Sequence, residues 1–209
     1  MIVAIDGPAG AGKSTVARRL AERLGFRYLD TGAMYRAVTW LAVDQSLELE
    51  DGPPLGRLAE EYPVDLDEDG RVAIAGHDVS DAIRLAEIDR LVPTVARHPE
   101  VRAVMRRRQR ELADLGNAVI EGRDIGTVVA PDADVKIYLN ADAEVRARRR
   151  QLERPDIGGD ALATDLRLRD ESDAARMQPA EDAERIDTTE LDVEDVVDRI
   201  EQLVRARVA

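Results

Sequence analysis

Cysteine is absent from the 209 residues, and histidine occurs only twice, at His77 and His98. The first absence excludes disulfides, Cys-based zinc sites, iron–sulfur ligation and cysteine nucleophiles. Two histidines are too few for us to expect a His-based metal centre or a catalytic triad. Aromatic residues make up only 3% of the chain, whereas 44% is hydrophobic. We therefore expect a core of Leu, Val, Ile and Ala, in a chain long enough to bury it without covalent staples.

Basic residues are outnumbered by acidic ones, 30 to 43, so the formal net charge is -13. A surface of that sign repels the phosphate backbone of nucleic acids, so we expect no nucleic-acid partner. No apolar run approaches the ~20 residues of a membrane span. The first residues, MIVAID, lack the charged start of a signal peptide. These features predict a soluble, cytoplasmic protein with no membrane partner.

Lysine is nearly absent as well. Only Lys13 and Lys136 are lysines among the 30 basic residues, and the other 28 are arginines. A lysine kept in that background suggests a need for a compact point charge rather than for the planar fork of arginine. Lys13 stands in the most informative stretch of the sequence.

Short apolar segments alternate with amphipathic segments along most of the chain. Strands are predicted at 2–5, 26–29, 119–120, 134–140 and 185–187, and helices at 14–24, 33–43, 100–115, 142–153, 160–175 and 192–207. Such alternation forms βαβ units, so we expect an α/β fold whose parallel sheet is flanked by helices on both faces. Ligands of these sheets bind beside the carboxyl ends of the strands. The loops that should meet there begin at Gly7, Asp30, Gly122 and Asp187.

Residues 51–92 differ in character from the rest of the chain. The segment opens with DGPP and carries a hairpin signal, Asp69-Gly70, between two short apolar runs. We interpret it as a small inserted lobe. The main domain is then formed by residues 1–50 and 93–209.

The stretch from residue 7 to residue 14 reads GPAGAGKS and matches the phosphate-loop pattern GxxxxGK[ST]. It follows a predicted strand and opens a predicted helix, which is the context that this motif requires. Glycines let backbone amides approach phosphate oxygens, and a helix N-terminus favours an anion. Lys13 would reach the β- and γ-phosphates, and the Ser14 hydroxyl would bind Mg²⁺, the predicted cofactor. The residues of this predicted nucleoside-triphosphate site are Gly7, Pro8, Ala9, Gly10, Ala11, Gly12, Lys13, Ser14 and Thr15.

Arginines form groups that would neutralise two phosphate compounds brought together for phosphoryl transfer. The groups are Arg36 after the second predicted strand, Arg123 after the third, Arg169 with Asp173 and Arg176, and Arg146 with Arg149 and Arg150. The third group has the spacing i, i+4, i+7, which places its members on one face of a helix. That face either binds a ligand or forms a salt-bridge ladder in solvent.

Several stretches together resemble the bacterial cytidylate kinase family, whose members phosphorylate CMP and dCMP from ATP. The stretches are IDGPAGAGKSTVARRLAERLGFRYLDTGAMYRA, HPEVRAVMRRRQRE, IEGRDIGTVVAPDADVKIYLNA and RLRDESDAARMQPAEDAERIDTT. Many families share the phosphate loop, whereas DTGAMYR, EGRDIGTVVAPDA and the RxxxDxxR run are far more specific. The resemblance implies the P-loop NTPase fold of a nucleoside monophosphate kinase. That fold has a five-stranded parallel sheet flanked by helices, an inserted NMP-binding lobe, here 51–92, and a mobile lid, here near 154–160.

The resemblance also implies roles for individual residues. Catalysis would involve Lys13, Arg123, Arg149 and Arg176. The acceptor phosphate would be held by Arg36, Arg123 and Arg176, the pentose by Arg169 and Asp173, and the cytosine by Arg102 and Asp124, with Thr31 and Tyr35 completing the site. Arg149 and Asp187 would belong to the ATP site. Asp30 would either hydrogen-bond to a ligand of magnesium without binding the ion itself, or only cap a strand end.

Base selectivity has a physical reason in this pattern. Cytosine carries an amino donor at N4, which a carboxylate such as Asp124 accepts, while an arginine donates to O2 and N3. Uracil has a carbonyl where cytosine has the amine. This carbonyl and the Asp124 carboxylate are both hydrogen-bond acceptors, so uracil would be disfavoured. The chain departs from the family pattern at Pro93, where members often carry a serine that helps to bind the base. Thr94 is adjacent to that position.

Three other functions fit part of the pattern. A kinase for another nucleotide or a small metabolite would use the same phosphate loop but would not need the Arg102 and Asp124 pair. A GTPase-type switch requires an [NT]KxD base-reading run, which the sequence lacks. An Arg-rich nucleic-acid binder conflicts with the net charge. We therefore expect ATP and CMP or dCMP as partners of a monomeric enzyme.

Overall fold

The computed structural model describes residues 1–67, 70–153, 158–174 and 177–208, which fall into two units. The first unit comprises Met1–Arg27 and Gly116–Ala209, and the second comprises Tyr28–Leu115. The inserted lobe that the sequence predicts at 51–92 lies within the second unit. Its separation from the remainder of that unit stays a prediction.

Strands and helices alternate in both units. The strands are β1 (Ile2–Asp6), β2 (Arg27–Asp30), β3 (Asp65–Leu66), β4 (Val72–Ile74), β5 (His77–Asp78), β6 (Ala118–Gly122), β7 (Val135–Asn140) and β8 (Glu184–Asp187). The α-helices are α1 (Lys13–Leu24), α2 (Thr31–Asp44), α3 (Gly52–Glu61), α4 (Ala86–Ala96), α5 (Pro99–Ala113), α6 (Ala143–Glu153), α7 (Gly159–Asp173) and α8 (Val193–Val208). A 3₁₀ turn at Ala82–Arg84 and a π-helix at Ile125–Val129 are also present. Among the described residues, no helix has the length and apolar character needed to cross a membrane.

The first unit is built on a parallel sheet with β1 at its centre. β6 and β7 flank β1, and β8 follows β7. β2 is the fifth strand and begins in this unit at Arg27, whose amide donates to the Asn117 carbonyl at 2.9 Å. Neighbouring strands are distant in sequence because parallel strands need crossover connections. The predicted five-stranded parallel sheet is thus confirmed.

The register of this sheet brings three strand ends together. Asp6 at the end of β1 is aligned with Gly122 of β6 on one side and with Tyr138 of β7 on the other. The carboxyl ends of these strands therefore lie side by side. A ligand site is expected at such an edge of a parallel sheet.

Burial on both faces explains the composition of the central strand. Val3, Ala4 and Ile5 are fully buried, and so are Leu20 of α1 and Ile200 of α8. Fully burying a large aliphatic side chain contributes roughly 1.5–3 kcal/mol. The aliphatic core that the composition predicts is therefore found here.

The second unit combines α2, α3, α4 and α5 with a small antiparallel sheet. β4 pairs with β3 and with β5, and Leu66 is aligned with Val72. The strands of the predicted hairpin are thus confirmed, while residues 68–69 of its turn lie outside the described residues. β5 was not predicted, because two exposed polar residues show no apolar alternation.

Two helices of the second unit, α3 and α4, were not predicted either. The DGPP stretch, which reads as a break, leads into the first turn of α3. Pro53 and Pro54 are tolerated there because the N–H groups of a first turn have no intrahelical partner. α4 carries Pro93 in its interior, which opposes a helix by propensity. Its buried side chains Ile88 and Val95 provide the tertiary contacts that propensity ignores.

Candidate nucleotide-binding site

The predicted phosphate loop connects β1 to α1 in the first unit. The backbone angle φ is positive at Gly7, Gly10 and Gly12, with values of 148°, 78° and 90°. Residues with a side chain rarely adopt these angles, which explains the glycines. α1 begins at Lys13, so the N–H groups and the positive dipole end of its first turn face the loop. The loop is therefore a preformed site for phosphate.

Two neighbouring elements determine the shape of the loop from behind. A Cβ atom on Gly7 would lie 2.1 Å from the carbonyl oxygen of Leu139 on β7. A Cβ atom on Gly10 would lie 2.9 Å from the carbonyl oxygen of Arg146 on α6. Neither position has room for a side chain. The loop thus depends on β7 and α6 as well as on its own sequence.

The side chain of Lys13 lies over the phosphate loop. Its Nζ atom donates to the Pro8 carbonyl oxygen at 2.7 Å. This contact holds the ammonium group beside the backbone amides of the loop. A lysine in that place delivers a positive charge to the β- and γ-phosphates in P-loop NTPases. The position agrees with the catalytic role predicted for Lys13, which stays a prediction.

Ser14 and Glu121 form a pair that suits magnesium. The Ser14 hydroxyl donates to a Glu121 carboxylate oxygen at 2.9 Å, and Glu121 is buried on β6. In the part of the chain that the structure describes, no group of three His, Asp or Glu residues could hold a metal alone. Mg²⁺ usually keeps several waters and binds one or two protein oxygens together with substrate phosphates. The donors present fit an ion that arrives with a nucleotide.

Asp30 behaves as a helix cap within the second unit. Its Oδ1 atom accepts the Ala33 N–H at 2.8 Å, at the start of α2. Its Oδ2 atom lies 3.4 Å from Nη2 of Arg36. These are the contacts of the capping alternative, and a role behind the magnesium ligands stays a prediction.

Asp6 carries a buried carboxylate next to the phosphate loop. It accepts the backbone N–H groups of Ile125 and Gly126, each at 2.8 Å, where the π-helix begins. Burial raises the pKa of Asp6 to about 6, and the charge of Asp124 adds to the rise, although the two amides oppose it. Asp6 therefore anchors the strand-end loop that carries Arg123 and Asp124.

Arg123 joins the phosphate loop to the end of α7. Its Nη1 atom donates to the Gly7 carbonyl oxygen at 3.0 Å and lies 3.5 Å from Sδ of Met177. Its Nε atom lies 3.4 Å from the Asp173 carboxylate. The structure thus brings together Arg123 and Asp173, two residues that the resemblance assigns to acceptor binding. Asp124, the residue after Arg123, is buried.

Arg149 lies beside the phosphate loop through its contacts with Thr188. Its Nη1 and Nη2 atoms donate to the Thr188 hydroxyl at 2.9 Å and to the Thr188 carbonyl at 2.6 Å. The buried Thr188 hydroxyl also donates to the Ala11 carbonyl oxygen at 3.1 Å. Asp187, one residue earlier, accepts the Thr189 N–H at 2.9 Å. These positions agree with a place in the ATP site.

Arg146 is a buried residue that ties the phosphate loop to α7. Its Nη1 atom donates to the Ala9 carbonyl oxygen at 3.1 Å, and its Nη2 atom lies 2.7 Å from the Asp170 carboxylate. Arg150 forms an ion pair with Glu153 at 2.8 Å. The three arginines of this group thus have different protein contacts, and their predicted part in neutralising phosphates stays a prediction.

The remaining described acceptor residues lie in the second unit. Thr31 is the first residue of α2 and is buried. Tyr35 and Arg36 follow on the same helix, and Arg102 lies near the start of α5.

Part of the predicted site falls outside the described residues. Arg176 and residues 154–157 lie there, as does the side chain of Arg169. Of the predicted lid, residues 158–160 are described, and α7 begins among them. The lid and the three-residue face on this helix therefore stay predictions.

Comparison with known proteins completes the description of the site. The family model described as cytidylate kinase matches residues 3–206. A cytidylate kinase of Shouchella clausii is 48% identical over 214 residues, which cover 97% of this chain and 95% of that protein. A cytidylate kinase of a Geobacillus species is 46% identical, with coverage of 99% and 97%.

The chain belongs to the cytidylate kinase family.

Solved structures place this member of the cytidylate kinase family in a wider fold group. A shikimate kinase from Bacteroides thetaiotaomicron has a TM-score of 0.53 at 16% identity, covering 98% of both chains. A gluconokinase from Sinorhizobium meliloti has a TM-score of 0.52 at 13% identity, covering 98% of this chain and 92% of its own. At such identities the likeness concerns the fold alone. The expected P-loop kinase fold is confirmed.

Two site residues of this cytidylate kinase family member escaped the sequence analysis, Asp6 and Glu121. Each is a carboxylate at the end of an apolar strand, directly before a glycine. A charged group that ends a buried strand must find a hydrogen-bonding partner. That pattern is the signal that could have identified them. Their partners are distant in sequence and emerge only in the fold.

Proposed function

We propose that this protein transfers the γ-phosphoryl group of ATP to CMP or dCMP, forming ADP and CDP or dCDP. The observation that carries the proposal is the match to cytidylate kinases over nearly the whole chain. The preformed phosphate loop in front of α1 supports the donor half of the reaction.

ATP would place its β- and γ-phosphates against the loop amides and Lys13. Arg149 and Asp187 would line the rest of the donor site. Mg²⁺, when bound, would neutralise negative charge on the β- and γ-phosphates of ATP. Ser14 would hold it, because the bond to Glu121 fixes the direction of the Ser14 hydroxyl.

The acceptor nucleotide would use the residues that match the family motifs. We assign Arg36, Arg123 and Arg176 to its phosphate, Arg169 and Asp173 to its pentose, and Arg102 and Asp124 to the cytosine. Thr31 and Tyr35 would help to form the acceptor site. Asp124 would accept from the N4 amine, which uracil lacks. The hydrogen bonds from Ile125 and Gly126 to Asp6, directly after Asp124 in the chain, support this assignment, because they restrict the loop that carries Asp124.

Transfer would occur directly and in line between the two phosphates, without a covalent intermediate on the protein. Two facing phosphates repel each other, so the arginines lower the barrier by neutralising charge. Closure of the proposed lid near 154–160 would exclude water and suppress hydrolysis of ATP. We further propose that the enzyme is a cytoplasmic monomer with no nucleic-acid partner.

A coupled assay with ATP, magnesium and either CMP, dCMP, UMP or AMP tests the proposal. CMP and dCMP should give a kcat/KM at least about tenfold above that of UMP and AMP. Lys13→Met should abolish turnover while the thermal midpoint stays near that of the wild type. Equal or better use of UMP or AMP would contradict the cytosine preference, and no turnover with any acceptor would contradict the kinase function.

A further inference from the structure

Lys136 is the second lysine of the chain and lies outside the phosphate loop. It precedes Tyr138 by two residues on β7, so the two side chains share one face of the sheet. Both bind the segment between α7 and β8. The Lys136 Nζ atom lies 3.0 and 2.9 Å from the two Asp182 carboxylate oxygens, and the Tyr138 hydroxyl donates to the Met177 carbonyl at 3.2 Å.

The Lys136 side chain is largely buried, although its partner is exposed. Only 9% of it is exposed, against 65% of the Asp182 side chain. Its Cδ and Cγ atoms lie 3.3 and 3.4 Å from the point that a Cβ on Gly126 would occupy, so the stem fills the space above that glycine. Hydrogen bonding from Lys136 lowers the pKa of Asp182. This contact therefore differs from exposed ion pairs, whose long side chains lose much entropy when they meet.

The segment held in this way reaches the acceptor residues of the first unit. The Met177 N–H donates to the Asp173 carbonyl at 2.9 Å, and Met177 Sδ lies 3.5 Å from Arg123. Arg123 in turn pairs with the Asp173 carboxylate at 3.4 Å. Met177 thus contacts both acceptor residues, and the chain from Met177 to Asp182 links it to the Lys136 ion pair.

We propose that Lys136 and Asp182 form a tether that positions Arg123 and Asp173 for the acceptor nucleotide. Lys136 is a positioning residue, since it acts through Asp182 and the chain that leads from Asp182 back to Met177. This inference rests on the proposed function, which assigns Arg123 and Asp173 to the acceptor. Loss of the tether should therefore weaken acceptor binding more than ATP binding.

Two single variants remove the tether from either side. Lys136→Met keeps most of the stem and removes the charge, and Asp182→Asn changes the exposed partner. Each should raise the KM for CMP roughly three- to tenfold, while the KM for ATP stays within about twofold. The Kd for CMP, measured by calorimetry, should rise in the same proportion. The KM for CMP of the double variant should not exceed that of the more impaired single variant, because both substitutions remove the same interaction.

Matched variants separate positioning from a general loss of charge. Arg199→Met removes an exposed ion pair with Glu184, which joins α8 to β8, and should leave the KM for CMP unchanged. Lys136→Arg restores the positive charge and should recover most of the affinity for CMP.

The outcomes distinguish the tether from the proposed function. If the wild type phosphorylates CMP and both single variants keep its KM and Kd, the tether is wrong and the function stands. A lower thermal midpoint with unchanged CMP binding would overturn the tether in the same way, since that is the effect of a purely structural ion pair. If Lys136→Met does not fold, Asp182→Asn decides. If the wild type does not use CMP, both proposals fail together.

Discussion

At the scale of the residue, Asp6 and Asp124 are two buried carboxylates with different tasks. Asp6 accepts two backbone N–H groups, and burial raises its pKa to about 6. Asp124 stands directly before the π-helix, and we assign it to the cytosine amine. Because their tasks differ, substitution by asparagine should have different consequences at the two positions.

Asp124→Asn should erode the preference for CMP over UMP. The asparagine amide offers uracil a donor that the carboxylate lacks. The ratio of kcat/KM for CMP to that for UMP should fall roughly tenfold or more, given the discrimination of a well-placed base contact. The KM for ATP should change little. Asp114→Asn, an exposed substitution on a helix end, is the control, and an unchanged ratio in Asp124→Asn would remove that residue from base recognition.

Asp6→Asn should alter how stability depends on pH. The pKa of Asp6 in the folded protein, about 6, lies above its ordinary value of 3.8. Protonation therefore contributes stability that is fully present below the unfolded pKa and is lost as the pH rises through the folded pKa.

Urea unfolding at pH 7 and at pH 5 measures this effect. The difference in unfolding free energy between wild type and Asp6→Asn should shift in favour of the wild type by about 1 kcal/mol at pH 5. The asparagine side chain at position 6 has no ionisable group. All other carboxylates are present in both proteins, so their contributions to the pH dependence cancel in the comparison. A difference that is equal at the two pH values would show that Asp6 titrates normally.

At the scale of the element, the phosphate loop takes its shape from the strand and the helix behind it. Gly7 lies against the β7 backbone and Gly10 against the α6 backbone. Arg146 adds a hydrogen bond from α6 to the Ala9 carbonyl, and Thr188 adds one to the Ala11 carbonyl. The motif thus requires a particular set of tertiary neighbours.

Gly10→Ala should impair ATP use without preventing folding. The new Cβ would lie 2.9 Å from the Arg146 carbonyl oxygen at a φ of +78°, so the loop or α6 must shift. Displacing the reacting groups by about 1 Å costs roughly a hundredfold in rate, so kcat/KM for ATP should fall by about that factor. Gly116→Ala, which meets nothing within 4 Å, should remain fully active. Wild-type kinetics in Gly10→Ala would contradict the dependence on α6.

At the scale of the whole molecule, two electrostatic effects oppose each other. The net charge of -13 destabilises the folded chain by repulsion between like charges, and local ion pairs stabilise it. Arg23 of α1 is the centre of one such group, where it meets Glu194, Asp198 and Glu201 of α8. These acidic partners raise the pKa of Arg23, chiefly through the hydrogen bond to Asp198. Exposed pairs of this kind contribute little each, whereas an excess of one sign repels throughout the molecule.

Added salt should therefore stabilise the protein. Raising sodium chloride from about 0.02 M to about 0.2 M shortens the Debye length to below about 10 Å and screens the long-range repulsion. The thermal midpoint should rise by about 2–4 °C, the shift that about 1 kcal/mol produces in a chain of this size. Calorimetry at both salt concentrations checks this. A falling midpoint would mean that ion pairs such as those of Arg23 outweigh the repulsion.

The amino-acid sequence by itself determined the alternation of strands and helices, the phosphate loop and the family. These features are local, because a motif such as GPAGAGKS and the apolar periodicity around it are complete within a short stretch of chain. The second-unit helices α3 and α4 were missed because the local sequence, with Pro53-Pro54 and Pro93, argues against a helix. The burial that stabilises these helices arises only in the folded chain.

Only the tertiary structure decided which residues support the site. Asp6 meets Gly126, Ser14 meets Glu121, and Lys136 meets Asp182 across separations of 120, 107 and 46 residues. The apolar periodicity of the sequence does not predict such pairs, because each depends on sheet register and on the packing of elements that are far apart along the chain. A buried polar group needs a partner, but the sequence does not state which one.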